Sequence, residues 1–287
     1  MTLILSCITQ DAIVQVSDRC LTNLATGEPV EQEANKAVFL SNRVALAYTG
    51  LAEIEGKPAD IWLRDILVPH ESVGHGIQLI VDEATRAFAA TPGSSAAKRQ
   101  AFVAAGWARF PHLGDDLHPF GLTISNAMDE HGAWLEGALP QFSGHGQILH
   151  GPNWGYSWTH AGGLPAERGA KLNRALRRMW EHGVSSAAIA EVFIAETRLM
   201  AERKGSRIGR GLMVNSIPRA ATETHDLLAL ASMPTGSELT FAHLRHDDSV
   251  ETTTGPHVVR PGGPVFSDFT HTQHGDGSET VGVTIRG

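Results

Sequence analysis

Four short β-prone runs fill the first fifty residues before any helix signal arrives, and that order limits the topologies open to the chain. Leu3 to Ile8 is apolar or small, Thr9-Gln10-Asp11 is polar, and Ala12 to Ser17 is β-prone again, the pattern of a hairpin starting almost at the first residue. A Gly- and Glu-containing connection leads to a second pair, Lys36-Ala37-Val38-Phe39-Leu40 and Val44 to Gly50.

Helix signals then come in pairs. Pro58 suits a first helical turn and opens a segment running to about Leu67. Ile77, Ile80, Val81, Ala84 and Phe88 recur at the three-to-four spacing of one buried face. Arg99 to Arg109, Phe120 to Ala127 and Ala133 to Glu136 read as strands, and the Gly-, His- and Trp-rich stretch from Pro140 to Gly163 reads as irregular. A second helix pair follows. One member carries Leu172, Ala175, Leu176, Met179 and Trp180 between Pro165 and Gly183. The other is capped by Ser185 or Ser186, with Ile189, Val192, Phe193 and Met200 inward. Gly211 to Ile217 is a further strand, ended by Pro218.

Blocks of strands and blocks of helices, without strict alternation, predict an α+β fold of antiparallel sheets with helices layered outside. The expected organisation is one main domain over residues 1–219, which the strands and loops of 220–287 complete or extend. The 287 residues, 42% hydrophobic and 19% charged, are enough for a sizeable core and exclude disordered and fibrous classes. Lys and Arg total 23 against 31 Asp and Glu, a formal charge of -8. That balance argues against nucleic-acid and anionic-membrane partners, yet leaves room for a local basic pocket.

Two cysteines, Cys7 and Cys20, are too few for a disulfide framework or a Cys-rich zinc site, and a reducing, cytoplasmic compartment is expected. No apolar run reaches the ~20 residues that span a bilayer. The opening MTLILSC has no basic residue and an apolar stretch of three, so it reads as mature protein and Cys7 as a strand residue.

The chemistry concentrates at the start. Thr2 follows Met1, and a small residue there is the kind from which methionine is trimmed. Trimming leaves a hydroxyl and a free α-amine on one residue, a nucleophile carrying its own base. An α-amine titrates near ~7.7–8.0, well matched to neutral pH, whereas an ordinary lysine at ~10.4 is a poor base. Such a site also needs a nearby cation, a carboxylate to place it and backbone N–H groups for the oxyanion. Asp18 and Arg19 end the second strand, back alongside the start of the first; Lys36 begins the third, and Gly50 ends the fourth. At Gly50 a missing Cβ lets backbone approach a substrate.

Thr2 with its hairpin, Ser17-Asp18-Arg19, Asn35-Lys36 before an apolar strand and Ala47-Tyr48-Thr49-Gly50 before a helix together resemble the proteasome β-type subunits of the N-terminal nucleophile (Ntn) hydrolases. The resemblance is best over residues 2–68. It implies a four-layer αββα sandwich and a threonine-dependent peptidase or amidohydrolase working on a peptide or small amide without a cofactor. It also implies roles: Thr2 as nucleophile and amine base, Lys36 as the charge lowering its pKa, Asp18 as orienting carboxylate, the Gly50 N–H as oxyanion donor, and Arg19 as support behind them. Glu202 and Ser206, before Gly209, are the candidates for the family's later acid–serine pair. Assembly into a ring or other homo-oligomer is a further implication.

Competing readings stay open at this level. A non-catalytic assembly or scaffold subunit of the same fold would keep Met1 and use Asp18–Lys36 structurally. Fifteen histidines invite a metal site, and His243/His246 with Asp247-Asp248, and His271/His274, have ligand-like spacing; without an HExxH motif they read as solvated loop residues. Ser143 lacks the GxSxG context of a serine-hydrolase elbow. The segment Gly205 to Gly211 lacks phosphate-loop spacing and reads as a helix-to-strand connection near the site rim. Trp154, Tyr156 and Trp158 either line a cleft or pack a loop onto the domain.

Overall fold

The computed structural model describes residues 2–22, 28–31, 34–40, 43–67, 73–150, 155–219, 240–244, 250–253, 258–259, 266–273 and 279–285. The chain opens with strands β1 (Leu3–Ile8), β2 (Ala12–Asp18), β3 (Leu21–Thr22), β4 (Pro29–Glu31), β5 (Ala37–Leu40), β6 (Val44–Thr49), β7 (Glu53–Ile54) and β8 (Lys57–Pro58). Helices α1 (Ala59–Leu67) and α2 (Val73–Ala90) follow, then β9 (Ala101–Arg109), β10 (Leu117–Ser125), β11 (Ser143–Ile148) and β12 (Ser157–Gly162). Helices α3 (Ala166–Glu181) and α4 (Ser186–Ala201) precede β13 (Leu212–Pro218). Last come β14 (Thr240–Leu244), β15 (Val250–Thr253), β16 (Val258–Val259), β17 (Phe266–Gln273) and β18 (Glu279–Ile285).

The class is α+β, as expected. Strand pairs are antiparallel except β5 with β16. One run of neighbours is β11-β10-β9-β6-β5 and another is β13-β2-β1-β12; β14 to β17 connect the two through β13 and β5. Every residue of β1, β2 and β6 is buried, which explains why these strands read as near-continuous apolar runs without an exposed polar face.

Three apolar clusters account for that burial. In the first, Val38, Leu40, Leu46 and Phe102 meet Trp62, Leu63, Ile80 and Phe88 of α1 and α2. In the second, Ile4, Ile13 and Met213 face Phe39, Ala47, Val103 and Trp107, so the two strand runs pack on one another. In the third, Leu3, Leu5, Val14, Val16 and Leu212 meet Leu172, Leu176, Ile189 and Phe193 of α3 and α4. Alternation along β1 therefore sends Ile4 and Ile8 to one cluster and Leu3, Leu5 and Cys7 to another. Cys7 lies in β1 as expected; it is buried and unbridged, and burial pushes its thiol pKa up to about 12.

Local signals held where chain chemistry is strong. Ser185 caps α4 by accepting from Ala188 N–H, and the expected α1 and α2 segments form. Two expectations fail. Ala133 to Glu136 makes only an isolated bridge, Met128 to Trp134, because the Asp129 carboxylate draws the His131 and Ala133 amides (2.9 Å each) into a turn. The stretch from Pro140 to Gly163 is not irregular: β11 and β12 lie in it, β11 paired to β10 and β12 to β1. Those partners are distant in sequence, so no local propensity announced them. Among the described residues, no helix is long and apolar enough to cross a membrane.

Polar bonds also tie the facing runs together. Gln15 Nε2 donates to the Val103 carbonyl (3.1 Å) and Trp107 Nε1 to the Ile217 carbonyl (3.2 Å). Trp107 is fully buried in the inter-sheet cluster. Its replacement by alanine opens a cavity and removes that donor, so Trp107→Ala is expected to cost about 3–5 kcal/mol, read as a lowered urea midpoint.

Candidate active site

Four strand ends converge at one place. The β1–β2 register pairs Ile4 with Ser17, which brings the ends of both strands, Thr2 and Asp18, together. The Leu3 N–H donates to Asp18 Oδ2 (2.7 Å) and fixes that junction. The β5–β6 pair sets Ala37 opposite Ala47, and the Tyr48 N–H donates to the Lys36 carbonyl (3.2 Å), placing the start of β5 beside the end of β6. Thr49 Oγ1 reaches the Thr2 carbonyl at 3.5 Å, linking the two pairs.

Lys36 stands at the centre. Its side chain is 1% exposed, and Nζ donates to Thr2 Oγ1 (2.6 Å) and to the Cys20 carbonyl. Asp18 Oδ1 lies 3.5 Å from the same nitrogen. Burial pulls the Lys36 pKa below its ordinary value, and the Asp18 carboxylate opposes that shift in part. Asp18 is itself fully buried and accepts three amides: Leu3 at Oδ2, and Cys20 (3.0 Å) and Gly209 (3.2 Å) at Oδ1. A buried carboxylate so satisfied is fixed in place. Arg19, also buried, donates from Nε to the Ala34 carbonyl (3.2 Å) and holds the segment leading into Lys36.

A cavity of about 370 Å³ opens beside Thr2 and Lys36. Gly50 lines it with φ of +125°, a conformation that favours glycine. The reason for glycine here is more specific than substrate access: a Cβ would come within 2.1 Å of Gln100 Oε1 and 2.4 Å of the Arg99 carbonyl. Gln100 Oε1 accepts the Leu51 N–H (2.6 Å), so its side chain clamps the turn that follows β6. On the opposite side Gly162, at φ +99°, sits against the Thr2 carbonyl, which a Cβ would strike.

All five residues singled out in the sequence thus gather at one junction, where Thr2, Asp18, Arg19 and Lys36 are buried and Gly50 is exposed at the cavity rim. Others drop away. Glu202 is the exposed C-cap of α4, and Ser206 Oγ accepts the Ile208 amide (3.2 Å) in a local turn. The glycine-rich connection from α4 to β13 does reach the rim, through Arg207 in the cavity wall and the Gly209 amide on Asp18. Tyr156 and Trp158 pack on α3, both bonded to Asn173 Oδ1 (2.9 Å each), away from Thr2. Ser143 Oγ meets only His145 Nε2 (3.2 Å). No group of three or more metal-ligating side chains occurs among the described residues; His246, Asp247, Asp248, His274 and Trp154 lie outside them.

Sequence reasoning missed Gln100, Gly162 and the Cys20 carbonyl. A main-chain acceptor carries no side-chain signal. Gln100 and Gly162 adjoin β9 and β12, whose pairing partners are far along the chain. No family model and no curated protein matches this chain.

The lowered Lys36 pKa sets a sign for stability. Between that value and the unfolded lysine value of ~10.4, the unfolded chain binds the extra proton, so unfolding free energy rises with pH in this window. Relative to Lys36→Met, the wild type should therefore gain stability as pH is raised toward 10.4, by at most about 1.4 kcal/mol per pH unit. Paired urea titrations at several pH values read it; a pH-independent difference would remove the shift.

Proposed function

We propose that this protein is a threonine-dependent Ntn hydrolase that cleaves an amide through an acyl-enzyme on Thr2, freed as the first residue by removal of Met1. The observation that carries the reading is the Lys36 ammonium nitrogen 2.6 Å from Thr2 Oγ1, inside the protein and beside a cavity. A lysine buried against a hydroxyl favours the alkoxide and depresses the pKa of a neighbouring amine.

In this reading the Thr2 α-amine takes the hydroxyl proton as Oγ1 attacks the amide carbon. The oxyanion collects the Gly50 N–H, and the ammonium returns its proton to the leaving nitrogen as the C–N bond breaks. Water then attacks the ester, again with the amine as base, releasing a carboxylic acid and restoring Thr2. Asp18 places Lys36, and Arg19 steadies the segment that carries it. The three stacked apolar clusters, between helices, strands, strands and helices, support the finer architecture of a four-layer αββα sandwich.

Intact-mass measurement should find Met1 absent, and a peptide epoxyketone should label the protein once, at Thr2. Thr2→Ala should lose that label entirely, and Lys36→Ala should slow it by about 10²-fold or more, the scale of losing one electrostatic stabiliser. Retained Met1 in a homogeneous preparation, or undiminished labelling of Thr2→Ala, refutes the assignment.

We also propose self-association through the α3–α4 layer, supported by exposed Trp180, Val184 and Leu199 there. Sedimentation should give a homo-oligomer for the wild type and a smaller species for Trp180→Glu/Leu199→Glu; a monomeric wild type excludes it.

A further inference from the structure

Among the described residues, the wall of the Thr2 cavity carries Lys36, Arg99 and Arg207 and no Asp or Glu. For a chain of formal charge -8 this is a local reversal of sign. Lys36 is already engaged by Thr2, Cys20 and Asp18. Arg99 is different. Its Nε is buried and has no hydrogen-bond partner, and its guanidinium enters no ion pair among the described residues.

The next residue repeats the pattern. Gln100 is 1% exposed; Oε1 is committed to the Leu51 amide, which fixes the orientation of the carboxamide, while Nε2 is a buried donor with no acceptor. Buried donors left idle are rare in folded proteins and call for an explanation. Both residues line the Thr2 cavity, and an acceptor that arrives with a ligand, met as these side chains turn toward it, would answer both. The acceptor suited to a planar guanidinium beside an amide donor is a carboxylate, which offers two oxygens and a full negative charge.

We propose that Arg99 and Gln100 form a carboxylate subsite, so that the cavity selects amides bearing a carboxylate next to the scissile bond. This rests on the Thr2 reading for its catalytic consequence, though the binding step does not require it. The positive side chains gathered on this wall attract an anion locally despite the acidic balance of the chain. Discrimination against a neutral isostere follows because that isostere leaves the guanidinium unpaired. The carboxylate has two sources: an acidic side chain on the acyl side, or the terminal carboxylate of a short amide on the leaving side.

Peptidyl aminomethylcoumarins ending in Glu or in Gln read the first source; an N-acyl-alanine and its methyl ester, followed by release of the amine, read the second. The expected result is at least a tenfold higher kcat/KM for the acidic member of one pair. Arg99→Gln should bring that ratio to within about threefold of unity, and Arg99→Lys should restore part of it. Equal kcat/KM within both pairs, or a preference that survives in Arg99→Gln, overturns the proposal. If no substrate is turned over, the Thr2 reading fails separately, and calorimetric titration of glutarate into the full chain decides the subsite. Binding weakened at least tenfold by Arg99→Gln supports it, and no binding, or equal binding by both proteins, overturns it.

Discussion

A lysine ammonium sealed at the meeting point of four strands governs the arrangement around it. At 1% exposure Lys36 has almost no water, so its charge must be met by protein atoms. Three oxygens meet it, from the Thr2 hydroxyl, the Cys20 carbonyl and the Asp18 carboxylate. They come from two separated places, Thr2 before β1 and the exit from β2 that carries Asp18 and Cys20, so the site can exist only where β1, that exit and the entry to β5 are held in one register. Backbone pairing supplies that register, and the inter-sheet cluster anchored by Trp107 and Phe39 keeps the two strand runs at a fixed separation.

The same packing explains why the cavity wall is built from strand ends. Within β1, β2 and β6 every residue is buried. The Thr2 cavity opens where the ladders stop, at Thr2, at Gly50 and at Gly162. There the chain must turn sharply beside a neighbouring strand, and two of those turns use positive φ with no space for a Cβ. The Gln100 carboxamide then substitutes for a ladder partner at Leu51, capping an amide that β6 has left behind.

Much of this was legible in the sequence, and for a physical reason. Thr2 and Asp18, and likewise Lys36 and Gly50, sit at the ends of short, strongly apolar runs joined by short connections, so hairpin geometry brings each pair together, and inter-sheet packing joins the two pairs. Helix α1 announced itself through Pro58, α2 to α4 through periodicity, and α4 also through a cap at Ser185. What stayed hidden depends on long-range pairing. β11 is a glycine-rich strand with exposed positions, and only its partner β10 makes it a strand. Trp180, counted on the buried stripe of α3, is 44% exposed, because the face that meets β1 and β2 is narrowed to Leu172 and Leu176. Gln100 carried no motif, since its importance comes from the amide it caps across the sheet.

Asp18 offers the last step. Its two oxygens already accept three backbone amides, a set that by itself holds the carboxylate in place. Lys36 is therefore not needed to satisfy Asp18, and its 3.5 Å separation is looser than any of those amide bonds. Its close contact is instead the Thr2 hydroxyl. Buried ion pairs rarely add net stability over apolar side chains of similar volume, so an apolar residue at position 36 would serve the core as well. A strand start that keeps a charge pressed against a hydroxyl, beside a cavity and at a cost in desolvation, supports the proposed role of that hydroxyl as nucleophile. Asp18 then acts less as a partner that stabilises the fold than as a fixed point that stops the ammonium from turning away from Thr2.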